Sequence, residues 1–181
     1  MVHPISVRAA PADSAGRGVG DIMVDPTKAE PFTHALHEAY SGLNQTLELP
    51  FALALDKAKV TWCRNPSQSG YPIPLLSPGQ SRTFYPDFLV WKGPNVFALD
   101  TKGEHILESE LGRKLLAITP AAKAKQQLLV RLISRGKWDN KPQRTSGEGF
   151  TVWALGHANA LKPIHCATLD EVIKTSIKPD L

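Results

Sequence analysis

Hydrophobic positions recur along this chain at two spacings, one helical and one extended, and together they mark out the elements. In LNQTLELPFALALDKAK, Leu47, Phe51 and Leu55 fall at i, i+4 and i+8, on one face of a helix. Pro50 has no N–H to give to the residue four back, so this helix is expected to begin near Leu49 or to kink there. A shorter helix is expected over 31–41, PFTHALHEAYS, with Pro31 at its first position and Gly42 beyond its end. Residues 59–63, KVTWC, form a strand candidate, and the proline-rich stretch 64–82 is expected to be a loop.

Residues 83–91 and 95–101 flank Gly93-Pro94 and predict a β-hairpin. Both alternating faces of these strands are apolar, as in a sheet covered on two sides. Two helices are expected next, at about 106–118 and from Thr119 (N-cap) with Pro120 at N1 to Gly136. In the second, Ala121, Ala124, Leu128 and Leu132 would form the buried stripe. A polar loop over 136–149, a strand over 150–156 and a terminal helix over 169–176 complete the pattern. The order helix, strand, strand, strand, helix, strand predicts an α/β fold with a central mixed sheet flanked by helices. Residues 1–30, rich in Ala, Gly and Pro, are expected to be an irregular arm, with 31–181 a single domain.

Composition narrows the class. At 181 residues, 42% hydrophobic and 21% charged, the chain has material for one globular core. Cys63 and Cys166 form no CxxC pair, so neither a disulfide scaffold nor a zinc site is expected. With no secretory leader, and no apolar run near the ~18 residues that span a bilayer, no membrane association is expected. A cytoplasmic location is.

Charge is uneven. Arg113, Lys114, Lys123, Lys125, Arg131, Arg135, Lys137, Lys141 and Arg144 face a single acid, Asp139, within 113–144, a local balance of +8 in a chain of net charge +4. A solvated helix face produces such a cluster, and so does a phosphate-binding surface, because cations gain affinity by releasing counterions from nucleic acid.

The chemistry concentrates at one end of the expected hairpin. Alternation puts Asp100 and Lys102 on one face at the C-terminal end of their strand, and Asp87 enters from the adjacent strand. Two neighbouring carboxylates repel unless a cation sits between them. Oxygen-only ligation suits Mg²⁺, with Mn²⁺ as a substitute, and Lys102 can act on a water or a phosphate. Hydrolysis of a phosphodiester requires such a set: charge stabilisation on the phosphoryl oxygens and an activated water.

The pattern PD, twelve residues, then DTK resembles the signature of the PD-(D/E)xK nuclease superfamily, whose core has the order αβββαβ. A longer succession, LNQTLELPFALALD, VTWCRNP, FYPDFLV and ALDTKGEH, followed by a helical lysine, resembles the endonuclease domain at the C-terminal end of helicase-coupled type III restriction subunits. This covers roughly residues 43–115. The resemblance implies a restriction-endonuclease-like fold and a metal-dependent DNA endonuclease, in a restriction or defence-type system. It implies that Asp87, Asp100, the Thr101 carbonyl and Glu48 hold the metal and that Lys102 positions the water or scissile phosphate. Arg64 would bind nucleic acid or brace the site, and Arg113, Lys114, Lys123, Arg131 and Lys141 would contact nucleic acid. A helicase or methyltransferase subunit is an implied partner, and a homodimer is open. The alternative is a catalytically silent nucleic-acid-binding or scaffolding module on the same fold.

Overall fold

The computed structural model describes residues 5–7, 19–77, 80–101, 107, 110–118 and 126–181. Lys102, His105 and Lys123 lie outside the described residues. The fold is mixed α/β, and the chain falls into two compact units, Met1–Trp91 and Lys92–Leu181.

In the first unit, β1 (Ile5–Val7) pairs antiparallel with β2 (Ile22–Val24), and β3 (Glu30–Pro31) with β4 (Ala39–Tyr40). The stretch read as an irregular arm therefore carries strands, and Val24 is buried. The helix α1 (Glu48–Lys57) begins where the Pro50 argument puts it: proline is the third helical residue, inside the first turn, where an N–H has no intrahelical partner. Phe51 and Leu55 are fully buried, and the Phe51 ring stacks on Phe88 at 5.2 Å. Next come β5 (Thr61–Arg64), a hairpin of β6 (Ile73–Ser77) and β7 (Gln80–Phe84), and β8 (Phe88–Lys92), which pairs antiparallel with β5. Trp62 of β5, fully buried, gathers Phe32, Tyr40 and Phe88 around it at centroid distances of 5.0 to 5.9 Å.

Two expectations fail in this unit. Residues 31–41 do not form a helix. Their amides find tertiary acceptors instead: Thr33 and His34 donate to the Asp56 carboxylate, Leu36 to the Trp62 carbonyl, and Phe32 to Glu38. Phe32, Leu36 and Tyr40 still bury, as their spacing demands, but from irregular backbone. The 64–82 stretch is not a simple loop, because it holds β6 and the start of β7; Pro74 is tolerated in a strand belonging to a separate two-stranded sheet.

In the second unit, β9 (Asn95–Asp100) follows a two-residue turn in which Gly93 takes φ +59°, the left-handed value this turn class needs at its first position. The helix α2 (Glu110–Leu116) precedes β10 (Gln127–Trp138), which runs parallel to β9 from Gln127↔Asn95 to Leu132↔Asp100. The strand β11 (Arg144–Leu155) returns antiparallel to β10, β12 (Leu161–Cys166) returns antiparallel to β11, and α3 (Leu169–Ser176) follows. The Thr168 hydroxyl accepts from the Glu171 amide and caps α3. Within this unit the strands lie in the order β12-β11-β10-β9.

The long helix expected to end at Gly136 is overturned: 127–138 is a strand. Residues 130–134 are all buried, including both alternating faces, because β10 lies between β9 and β11 with α2 packed on it. An apolar run such as LLVRLI fits that place as well as it fits a helix, and the neighbouring strands decide. The loop expected over 136–149 is likewise largely the outer part of the β10–β11 hairpin, and β12 had not been anticipated.

Candidate functional site

The C-terminal end of β5 organises the first unit's share of the candidate residues. Arg64 is the last residue of that strand and lies opposite Phe88 in register. Its guanidinium donates to the Ser41 carbonyl at 2.9 Å and the Gly42 carbonyl at 3.2 Å, and reaches the Glu48 carboxylate at 3.5 Å. Glu48, the first residue of α1 and only 7% exposed, also accepts from the Asn44 amide at 3.0 Å. A carboxylate this buried needs such partners, since removing a charge from water is costly unless it is paired and hydrogen-bonded. Arg64 thus braces the entry to α1.

The next residue of the Arg64-Asn65-Pro66 stretch is Asn65. It is buried, its side-chain amide donates to the Pro86 carbonyl at 2.8 Å and the Tyr71 carbonyl at 3.1 Å, and its carbonyl oxygen accepts from the Tyr71 amide. Its main-chain N–H donates to the carbonyl of Asp87 at 2.8 Å. The Pro86-Asp87 step is therefore held from both its residues just before β8, leaving Asp87 half-buried. The signal available in the sequence was Asn-Pro at a strand end, where a side-chain amide stands in for missing backbone pairing.

In the second unit, Asp100 closes β9 opposite Leu132 of β10 and is 6% exposed; Thr101 follows it and is buried. Among the described residues, no group of three or more His, Cys, Asp or Glu side chains is arranged to hold a metal ion.

The basic candidates separate. Arg113 is exposed on α2 and Lys114 half-buried there; Lys141 is exposed between β10 and β11. Arg131 is different. It is buried, and its guanidinium donates to the carbonyls of Val130, Lys178 and Pro179, with its carbon 5.8 Å from the centre of the Phe97 ring. Burial lowers its pKa from the ordinary arginine value. The expectation that Arg131 contacts nucleic acid assumed an outer helix face; on a central strand the same side chain turns inward and ties down the C-terminus.

Other titratable groups are structural. His37 is buried between the Tyr40 hydroxyl, at 3.0 Å, and the Gly20 carbonyl, at 2.9 Å. Burial pushes the Tyr40 hydroxyl far above its usual range and the Cys63 thiol up to about 12.

Compared with protein-family models, curated proteins and solved structures, the chain gives no match.

Proposed function

We propose that this protein is a metal-dependent DNA endonuclease of the PD-(D/E)xK type. The observation that carries the reading is the bracing of two of its acids by adjacent residues: Arg64 holds Glu48, and Asn65 holds the Pro86-Asp87 step. Sites that act on a reacting group need side chains fixed to a fraction of an ångström by packing and second-tier hydrogen bonds. With the β6–β7 hairpin between β5 and β8 set aside as an insertion, the order α1, β5, β8, β9, α2, β10, with β9 and β10 parallel, supports the reading further, because it is the order αβββαβ once β10 is taken as the strand after the crossover. Asp100 ends β9, the strand beside that crossover strand.

The donors that the reading assigns, Asp87, Asp100, Glu48 and the Thr101 carbonyl, are all oxygen, the donor type that Mg²⁺ or Mn²⁺ takes. When bound, the ion would supply positive charge to the phosphoryl oxygens. Lys102 orients the attacking water or the scissile phosphate. As the water's oxygen bonds to phosphorus, the P–O bond to the leaving sugar oxygen breaks and that oxygen takes up a proton. Buried Asp100 keeps its place through the change because the β9–β10 ladder holds its backbone.

The test is cleavage of duplex and single-stranded DNA with Mg²⁺, with EDTA, and by Asp100→Asn. Cleavage that requires Mg²⁺ and disappears in the variant supports the reading. DNA binding without cleavage, in Mg²⁺ or Mn²⁺, supports the silent nucleic-acid-binding module instead.

A further inference from the structure

The outer half of the β10–β11 hairpin is a rigid ribbon carrying exposed cations. Beyond Arg135, which pairs with Phe150, the two strands leave regular register: Lys137 pairs with Ser146, and Trp138 with Arg144. Gly136 makes the irregularity possible at φ +86°, where a Cβ would collide with the Ser146 carbonyl. Side chains then stiffen the ribbon. The Thr151 hydroxyl donates to the Gly136 carbonyl at 2.8 Å and accepts from the Trp138 amide at 3.2 Å. The Asp139 carboxylate accepts from the amides of Lys141 and Gln143, both at 2.9 Å, and closes the turn. His165 of β12 donates to the Trp138 carbonyl at 2.8 Å.

On this ribbon Arg135, Lys137, Lys141 and Arg144 are all exposed. Among the described residues, none of the four forms an ion pair. Two acids share the stretch 135–148, Asp139, whose carboxylate is taken up by the Lys141 and Gln143 amides, and exposed Glu148, so the four cations outnumber them two to one.

We propose that this hairpin is a docking surface for the phosphate backbone of duplex DNA. Its choice of DNA rests on the nuclease reading, while the surface itself shares no residue with the acids Asp87, Asp100 and Glu48. Trp138 argues for a duplex over a single strand. Single-strand binders offer bases an open aromatic platform. Here the indole is half-buried with its edge toward Trp153 at 6.4 Å, and its N–H donates to the Arg135 carbonyl at 2.8 Å. The ring braces the ribbon, and the four cations meet phosphates. Binding is therefore independent of sequence, since phosphate contacts position a duplex without reading it.

The experiment measures binding of labelled duplex and single-stranded DNA of arbitrary sequence in EDTA, across a salt series. It compares the wild type, a quadruple variant (Arg135→Gln, Lys137→Gln, Lys141→Gln, Arg144→Gln), a Lys137→Arg, Lys141→Arg variant, and a Lys174→Gln, Lys178→Gln control on and just after α3. The quadruple variant should lose at least about tenfold in affinity, with a slope of log affinity against log salt shallower by about 3 to 4, near 0.9 per phosphate contact. The charge-conserving variant and the control should match the wild type. An unchanged affinity and slope in the quadruple variant overturns the proposal, as does an equal loss in the control or tighter binding of single strands by the wild type. A wild type that binds in this pattern yet cleaves nothing with Mg²⁺ or Mn²⁺ overturns the nuclease reading and leaves the hairpin surface standing.

Discussion

The Arg64 guanidinium lies 3.5 Å from the Glu48 carboxylate while donating to two main-chain carbonyls, so one side chain fixes both the acid and the turn that leads into its helix. Arg64→Ala should destabilise the protein by about 2 kcal/mol, the scale of a hydrogen bond to a charged group. Urea unfolding measures it. A guanidinium that served only as a nucleic-acid contact would leave the unfolding midpoint where it was.

Asn65→Ala removes the donor that holds the Pro86 carbonyl and should cost about 1 to 3 kcal/mol, since buried polar partners are left unsatisfied. If Asp87 acts in catalysis, cleavage by this variant should fall more than its stability alone explains, when assayed well below its melting temperature. Full activity in the folded variant would detach Asn65 from the site.

Asp100→Asn and Lys102→Ala should separate metal holding from phosphate chemistry. Mg²⁺ should raise the melting temperature of the wild type, because a ligand that binds only the folded state stabilises it. Asp100→Asn should abolish that rise, and Lys102→Ala should keep it while losing cleavage. Scanning calorimetry with and without Mg²⁺, paired with a cleavage assay, tests both. A Lys102→Ala protein cleaving at wild-type rate would remove the lysine from the mechanism.

Arg131→Ala should destabilise by about 3 kcal/mol, as expected when a buried, hydrogen-bonded charge is removed and its partner carbonyls lose their donor. Its DNA affinity, measured on the folded fraction, should not change. Arg131→Ala that stays fully stable but loses DNA binding would return this residue to the nucleic-acid surface.

Alkaline pH should unfold the protein through its buried thiol. The Cys63 pKa rises from the ordinary thiol value to about 12 because burial disfavours the thiolate. Between those values the folded state keeps a proton that the unfolded chain releases, so stability falls as pH rises through the window. Burial of Tyr40 acts in the same direction. The Cys63→Ala protein should show a weaker fall between about pH 9 and pH 12 in denaturant titrations; an identical slope would rule out the thiol as a contributor.

Much was legible in the chain itself where the decisive interactions are local. The period of Phe51 and Leu55 together with Pro50 in the first turn specified α1, Gly93-Pro94 specified a tight hairpin, and the helix expected over 169–176 is α3. Caps, turns and periods act within a few residues, so they can be read without knowing what lies across the fold. Asp87 and Asp100 became candidates from residue type and strand-end position, and Glu48 only through the family resemblance.

Tertiary structure decided the rest, because it supplies hydrogen-bond partners from distant sequence. The amides of 31–41 bond to Asp56 and to β5 and have no need of a helix. The run LLVRLI becomes a strand because β9 and β11 stand ready on either side, and helical and central-strand burial ask for the same apolar residues. That single change reverses the meaning of Arg131, which goes from a phosphate contact to an anchor for Lys178 and Pro179. It also turns an expected polar loop into the ribbon that presents Arg135, Lys137, Lys141 and Arg144. Which residues are basic was written in the chain; which of them face outward depended on the strands beside them.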